Sequence, residues 1–144
     1  MAPAVHTTAS DRLRGDGQRY TTQRQAIVDV LMAVEHPVTI PQLLERLPGL
    51  AQSSAYRNLA VLERAGVVHR IVTTDEFARY ELAEDLTRHH HHLICSSCGD
   101  VTDFEVPDTV EHDLERALAR VADRTGFTVD THRLDLVGLC SACS

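Results

Sequence analysis

Four cysteines, arranged as Cys95-x-x-Cys98 and Cys140-x-x-Cys143 with 41 residues between the pairs, constrain the fold of this chain more than any other feature. Four thiolates are the full tetrahedral complement of a closed structural zinc site and leave no open position for catalysis. The turns Cys-Ser-Ser-Cys-Gly and Cys-Ser-Ala-Cys have the form of zinc knuckles, so the end of the chain is expected to return to position 95. A thioredoxin-like redox pair would use one Cys-x-x-Cys and leave the other idle, whereas an iron-sulfur or iron-thiolate centre could take the same four ligands. The first residues lack the apolar segment of a signal peptide, and no apolar run is long enough to span a bilayer. The expected location is therefore the cytoplasm, where thiols stay reduced, with no membrane partner.

Immediately before Cys95 stand four consecutive histidines, His89, His90, His91 and His92. On a strand leading into Leu93-Ile94-Cys95, the period of two sends His89 and His91 to one face and His90 and His92 to the other, so one tetrad can feed two metal sites. Imidazole suits zinc, iron, nickel or copper, and each pair needs further ligands. Candidates are His132, read as lying on a strand face with Leu134 and Leu136, Glu111 in the first turns of a helix, and His36, His69, Glu81 and Asp103. His6 and His112 are read as surface histidines.

The spacing predicts two units. Thr22 with Gln25 has the form of a capping box, and Ile27, Val30, Leu31 and Val34 repeat at helical spacing up to His36-Pro37. A short helix is expected over residues 41–47 and a third over 54–65, closed by Gly66. A hairpin comes next, with strands at 67–72 and 77–82 around a polar turn at 73–76. Three short helices and a hairpin are the order of a winged helix-turn-helix, whose third helix enters a DNA major groove, although a helical bundle with a polar surface fits the same pattern. After a polar hinge at 83–88, strands at 89–95 and 101–104, a helix from Pro107 to Gly126 and a final strand over 127–139 make a small α+β unit. The expected division is 1–84 and 85–144. The net charge of −7 is uneven: residues 1–72 hold eight Arg against six acidic residues, and residues 73–144 hold six Arg against fifteen. Only the N-terminal half suits a phosphate backbone.

The runs Tyr20-Thr21-Thr22-Gln23-Arg24-Gln25, Ser54-Ala55-Tyr56-Arg57-Asn58-Leu59, the histidine tetrad with its first cysteine pair, and Gly138-Leu139-Cys140-Ser141-Ala142-Cys143 together resemble the ferric uptake regulator (Fur) family of metal-dependent bacterial repressors. The resemblance covers nearly the whole chain from about Arg19 to Cys143. It implies a winged-helix DNA-binding domain, an α+β dimerisation domain with structural Zn(2+) on Cys95, Cys98, Cys140 and Cys143, and a homodimer that binds palindromic double-stranded DNA operators when loaded with metal. It implies one further site of His89, His91, Glu111 and His132. A regulatory site bridging the domains would use His90, His92, Glu81 and a ligand from the end of the first long helix, approximately matched by His36, with Asp103 or His69 as substitutes.

The same resemblance puts Arg19, Ser53, Ser54, Tyr56, Arg57 and Asn58 at the DNA, Tyr56 and Arg57 against bases and Arg19 in the minor groove. Arg pairs bidentately with guanine and also fits a narrow minor groove. A bridging site of nitrogen and oxygen donors suits Fe(2+) or Mn(2+) better than Zn(2+). The zinc-uptake branch is said to recruit an additional cysteine to this site, and the chain has no fifth cysteine. Asp103, where iron sensors of the family tend to carry Glu, points toward peroxide sensing. Iron ranks first, with zinc uptake or peroxide response as alternatives. No His-Glu-x-x-His pattern or nucleophile and base pair supports a zinc hydrolase, and a zinc-stabilised protein-interaction module is the remaining class.

Overall fold

In a computed structural model, which describes residues 2–73 and 77–144, the chain forms five α-helices and two three-stranded sheets. The first half begins with a helix that the hydropathy pattern did not reveal, α1 (Ala2–Gly15). Its buried stripe is Ala9 and Leu13, with Val5 partly buried one turn earlier, an i, i+4, i+8 row that is weak in hydropathy because its middle member is alanine. His6, expected at the surface, lies between Tyr20 Oη at 2.5 Å and Asp29 Oδ1 at 2.7 Å and pins α1 to the second helix and the segment leading into it. Burial, and then the charge of Asp29, push the Tyr20 hydroxyl up to about 12.

Helix α2 (Thr22–Ala33) is capped by Thr21 rather than Thr22: Thr21 Oγ1 accepts from Arg24 N at 3.3 Å, while the Gln25 amide reaches back to Tyr20 O at 3.0 Å. It stops at Val34, before His36-Pro37, and buries Ile27, Val28 and Leu31. A two-residue strand, β1 (Val38–Thr39), leads into α3 (Ile40–Arg46), where Thr39 and Gln42 form the capping box. Helix α4 (Gln52–Arg64) starts two residues earlier than expected and buries Ala55, Leu59 and Leu62. Gly66, at φ +78°, reverses the chain into β2 (Val68–Ile71), which pairs antiparallel with β3 (Arg79–Leu82) in the sheet order β1-β3-β2. Of the expected turn at 73–76, residues 74–76 lie outside the described residues. This is a winged helix-turn-helix with one extra helix in front, and its core draws on every one of these elements.

A one-turn 3-10 helix (Glu84–Leu86) links it to the second sheet. There β4 (His91–Cys95) pairs antiparallel with β5 (Val101–Phe104) and parallel with β6 (Asp135–Gly138), the parallel connection running through α5 (Asp108–Thr125). The long final strand expected over 127–139 shrinks to the four residues that β4 can pair. Among the described residues of this half the buried side chains are His91, His92, Cys95 and Val101, and α5 buries none. Val110, Val121, Leu134, Leu136 and Val137 are left exposed. So thin a core is of the kind that small units supplement with metal ligation or a partner surface.

Because Leu13 is wholly buried, Leu13→Ala in the zinc-replete protein is expected to lower unfolding stability by about 2–5 kcal/mol, read by denaturant titration. A cost below about 0.5 kcal/mol, typical of surface positions, would mean that α1 is not part of the core.

Candidate metal centres and nucleic-acid interface

The strand expected from residue 89 starts only at His91, yet alternate members of the tetrad still lie on opposite sides, and each side meets a carboxylate. On one side His89 Nε2 and His132 Nε2 each lie 2.8 Å from Glu111 Oε1, and His91 Nε2 lies 2.8 Å from Glu111 Oε2. Glu111 is placed by the first turn of α5, while His132 lies in the loop before β6 and not on a strand. Burial pushes the Glu111 carboxyl up, but hydrogen bonds from His91 and His89 outweigh it and hold it at about 2. The four donor atoms lie within 4.8 Å of one another, and His91 Nδ1 is buried without a hydrogen-bond partner.

On the other side Glu81, from β3 of the winged helix, lies between the remaining pair. His90 Nε2 is 3.0 Å from its Oε2 and His92 Nε2 is 2.9 Å from its Oε1. Asp103 of β5 completes the group at 3.7 Å from His90 and 3.6 Å from His92. These four donors all lie within 4.8 Å of one another, and the 2.9, 3.0, 3.6 and 3.7 Å separations bracket the ~3.4 Å edge of a tetrahedron of nitrogen and oxygen ligands around one ion.

The electrostatics fit a cation. Asp103 Oδ1 is buried with no hydrogen-bond partner, and burial together with the charge of Glu81 raises its carboxyl above the usual range. Burial would raise Glu81 as well, yet the hydrogen bonds from His90 and His92 hold it at about 2, and the bond to Glu81 lifts His90 to about 9. Two half-buried carboxylates facing two imidazoles, with one oxygen orphaned, are what a divalent ion with an all-nitrogen-and-oxygen shell satisfies.

Asp103 rather than His36 joins this group. His36 is exposed, lines the adjoining cavity, and turns its Nδ1 to Pro37 O at 2.9 Å. His69 faces Glu81 across the β2–β3 pairing but is not one of the converging donors among the described residues.

The four cysteines also converge. Cys98 Sγ and Cys140 Sγ are 3.8 Å apart, matching the ~3.8 Å edge of a sulfur tetrahedron drawn at zinc-thiolate distance. Cys95 Sγ accepts from Cys140 N at 3.4 Å and Cys98 N at 3.5 Å, and these amides draw its thiol down to about 6, toward the ligating thiolate. Gly99, at φ +78°, closes the first knuckle, and pairing of Cys95 with Gly138 brings the second alongside. All four cysteines are free thiols in one cluster, which does not suit a redox pair with a spare.

On α4, Ser53, Tyr56 and Arg57 are exposed, Ser54 is half-buried, and Arg19 is exposed before α2. Asn58, expected at the DNA, is instead buried: it accepts from Arg24 Nε at 3.0 Å and donates to Gln23 Oε1 at 3.1 Å, holding α4 against α2. Arg24, which sequence reasoning passed over, also donates to Arg19 O at 2.6 Å and so sets Arg19 relative to α4. Its signal was its place in the Thr-Thr-Gln-Arg-Gln run, where an exposed role is easier to imagine than a buried one.

His90, lifted to about 9, carries a proton near neutral pH, and only neutral imidazole ligates. In the metal-free chain the stability from this raised pKa is complete below pH 6.5 and fades as pH rises through about 9. Metal entry at this site should therefore release protons at about pH 7, with affinity climbing toward pH 9. Calorimetry in buffers of different ionisation enthalpy checks this, and affinity independent of pH over that range would contradict it.

The ferric uptake regulator family model matches residues 15–137. The chain is 35% identical over 148 residues to the peroxide operon regulator of Bacillus subtilis, covering 100% of this chain and 97% of that protein. It is 33% identical over 135 residues to the peroxide-responsive repressor PerR of Staphylococcus saprophyticus, covering 91% and 86%. Its fold is shared with the Helicobacter pylori ferric uptake regulator, with a TM-score of 0.76 at 22% identity over 99% of this chain and 93% of that one. A model match over most of the chain, supported by a full-length relative at that level of identity, means that this chain belongs to the ferric uptake regulator family.

Proposed function

We propose that this chain is a cytoplasmic, homodimeric repressor that closes on palindromic operator DNA when a metal ion occupies Glu81, His90, His92 and Asp103. The observation that carries this reading is that Glu81 belongs to the wing sheet, whereas His92 and Asp103 belong to the second sheet and His90 directly precedes its first strand. An ion held there ties the two units together. Residues 1–84 are the DNA-binding unit, and 85–144 dimerise through the exposed apolar faces of α5 and β6. The cysteines hold a permanent zinc, and His89, His91, Glu111 and His132 form a second centre in the dimerisation unit. Arg19, Ser53, Ser54, Tyr56 and Arg57 meet the DNA; Asn58 supports them from beneath. The assignment is to a transcription factor and not to an enzyme, and no helix among the described residues is long and apolar enough to cross a membrane.

The metal acts by population shift: ligands drawn from both units bind it tightly only when the units hold one relative orientation, which sets the two recognition helices at half-site spacing. A donor set without sulfur suits Fe(2+) or Mn(2+) by ligand type, and Fe(2+) ranks first, with Zn(2+) as the alternative. A second reading, peroxide sensing by iron-catalysed oxidation of a ligand histidine, is favoured by Asp103 in the cluster and by the peroxide-responsive relatives in Bacillus and Staphylococcus.

Operator binding of zinc-replete protein across Fe(2+) and Mn(2+) titrations tests both. Wild type is expected to gain ~5- to 150-fold in affinity, and His90→Ala/His92→Ala to lose that gain. An unchanged metal response in the double variant overturns the regulatory assignment. Under the peroxide reading, brief peroxide treatment adds one oxygen atom to a peptide containing His90 or His92 in the Fe(2+) form and not in the Mn(2+) form; equal oxidation of both forms rules it out.

A further inference from the structure

The link between the two units carries consecutive carboxylates that reach in opposite directions. Glu84 Oε1 forms a close ion pair with His89 Nδ1 on one side, and its Oε2 accepts from Thr131 Oγ1 at 3.4 Å. Asp85 accepts from both terminal nitrogens of Arg12 on α1. The same Arg12 donates Nη1 to Gly66 O at 2.7 Å, in the turn that ends α4. Two backbone bonds tighten that turn, Val67 N to Leu62 O at 2.9 Å and Ala83 N to Val67 O at 2.9 Å, the second arriving from the residue just before the one-turn helix. A continuous set of contacts therefore runs from His89 to the end of α4 through Glu84, Asp85 and Arg12, which sit in neither metal cluster.

We propose that Glu84 is a positioning residue that orients His89 for metal and couples filling of the His89, His91, Glu111 and His132 centre to the closing turn of α4. The proposal rests on the reading of that group as a metal centre. Paired with Nδ1, Glu84 favours the proton on that nitrogen, so that when an ion takes the place of the Nε2 proton now shared with Glu111, the Nε2 lone pair is free to ligate it. Metal at Nε2 makes the Nδ1 proton more acidic and the bond to Glu84 stronger. The one-turn helix is only three residues long, so a Glu84 held on one side holds Asp85 on the other, and with it Arg12 and the carbonyl of Gly66. The second centre then does more than stabilise its own unit: it stiffens the link whose orientation the Glu81 centre selects. By linkage, each centre raises the affinity of the other for metal.

Co(2+) absorbance and amide exchange test this in zinc-replete His90→Ala/His92→Ala protein, where Co(2+) reports on the second centre alone. Glu84→Ala is expected to weaken Co(2+) binding ~10- to 100-fold, and Glu84→Gln, which keeps an acceptor oxygen, to recover part of the loss. Co(2+) is expected to slow exchange of the Val67 and Ala83 amides ~5-fold or more in the parent. In Asp85→Ala, Co(2+) should bind as in the parent while exchange no longer responds. Parent-like affinity in Glu84→Ala overturns the positioning role, and a persisting exchange response in Asp85→Ala overturns the coupling. A parent that takes up no Co(2+) overturns the reading of the group as a metal centre. Coupled exchange in a protein that binds no operator would uphold this proposal while sinking the repressor reading.

Discussion

The structure turns on one carboxylate that crosses from one sheet to the other. Glu81 lies on the central strand of the wing sheet, yet both its oxygens are engaged by His90 and His92 of the second unit. His90 and His92 satisfy the half-buried Glu81, but Asp103, with one oxygen orphaned and the charge of Glu81 beside it, is left poorly compensated without an ion. A divalent ion supplies that compensation only where all four side chains converge. In the proposed function, the relative placement of the two units thereby becomes a condition of metal affinity, and an inorganic ion governs the geometry of the DNA-binding surface.

The two halves solve the problem of stability in different ways. The winged helix has an ordinary apolar core, with α1, α2, α3, α4 and the sheet all contributing buried side chains. The second unit has almost none, and three of its four buried side chains are metal-ligand candidates. The thiolate cluster knits β6 and the chain end to the turn after β4, in the manner of small domains that depend on a metal for folding energy. The cysteines therefore answer for the integrity of the second unit, and the histidines in front of Cys95 for its response.

Much of this was legible because chemistry-bearing residues are rare and their spacing is informative. The two Cys-x-x-Cys pairs and the alternation of the tetrad needed only tetrahedral ligation and the period of a strand. The winged helix was readable from caps, Gly66 and the hairpin pattern. What escaped was decided by tertiary contact. Helix α1 has a stripe too weak in hydropathy to register, and it persists because Leu13 and Ala9 fill space against the other helices. His6 looked solvated until Tyr20 and Asp29 closed around it. Asn58 sits among exposed neighbours on α4, one helical step from the DNA face, and that step carries it under the helix to Arg24 and Gln23. His132 was placed on a strand that β4 is too short to pair, and it reaches Glu111 from a loop. The sequence offered His36, Asp103 and His69 for the last place at the bridging site, and that Asp103 is the one beside Glu81, His90 and His92 depends on how two sheets meet, which no local pattern encodes.

The most direct test of the central claim is the X-ray absorption spectrum, at the manganese edge, of zinc-replete protein carrying one added equivalent of Mn(2+), compared with the same spectrum for Glu81→Gln. The account predicts a first shell of nitrogen and oxygen only, with imidazole scattering from His90 and His92, and a changed shell when the Glu81 charge is removed. Sulfur in that shell, or a spectrum indifferent to Glu81, would contradict it.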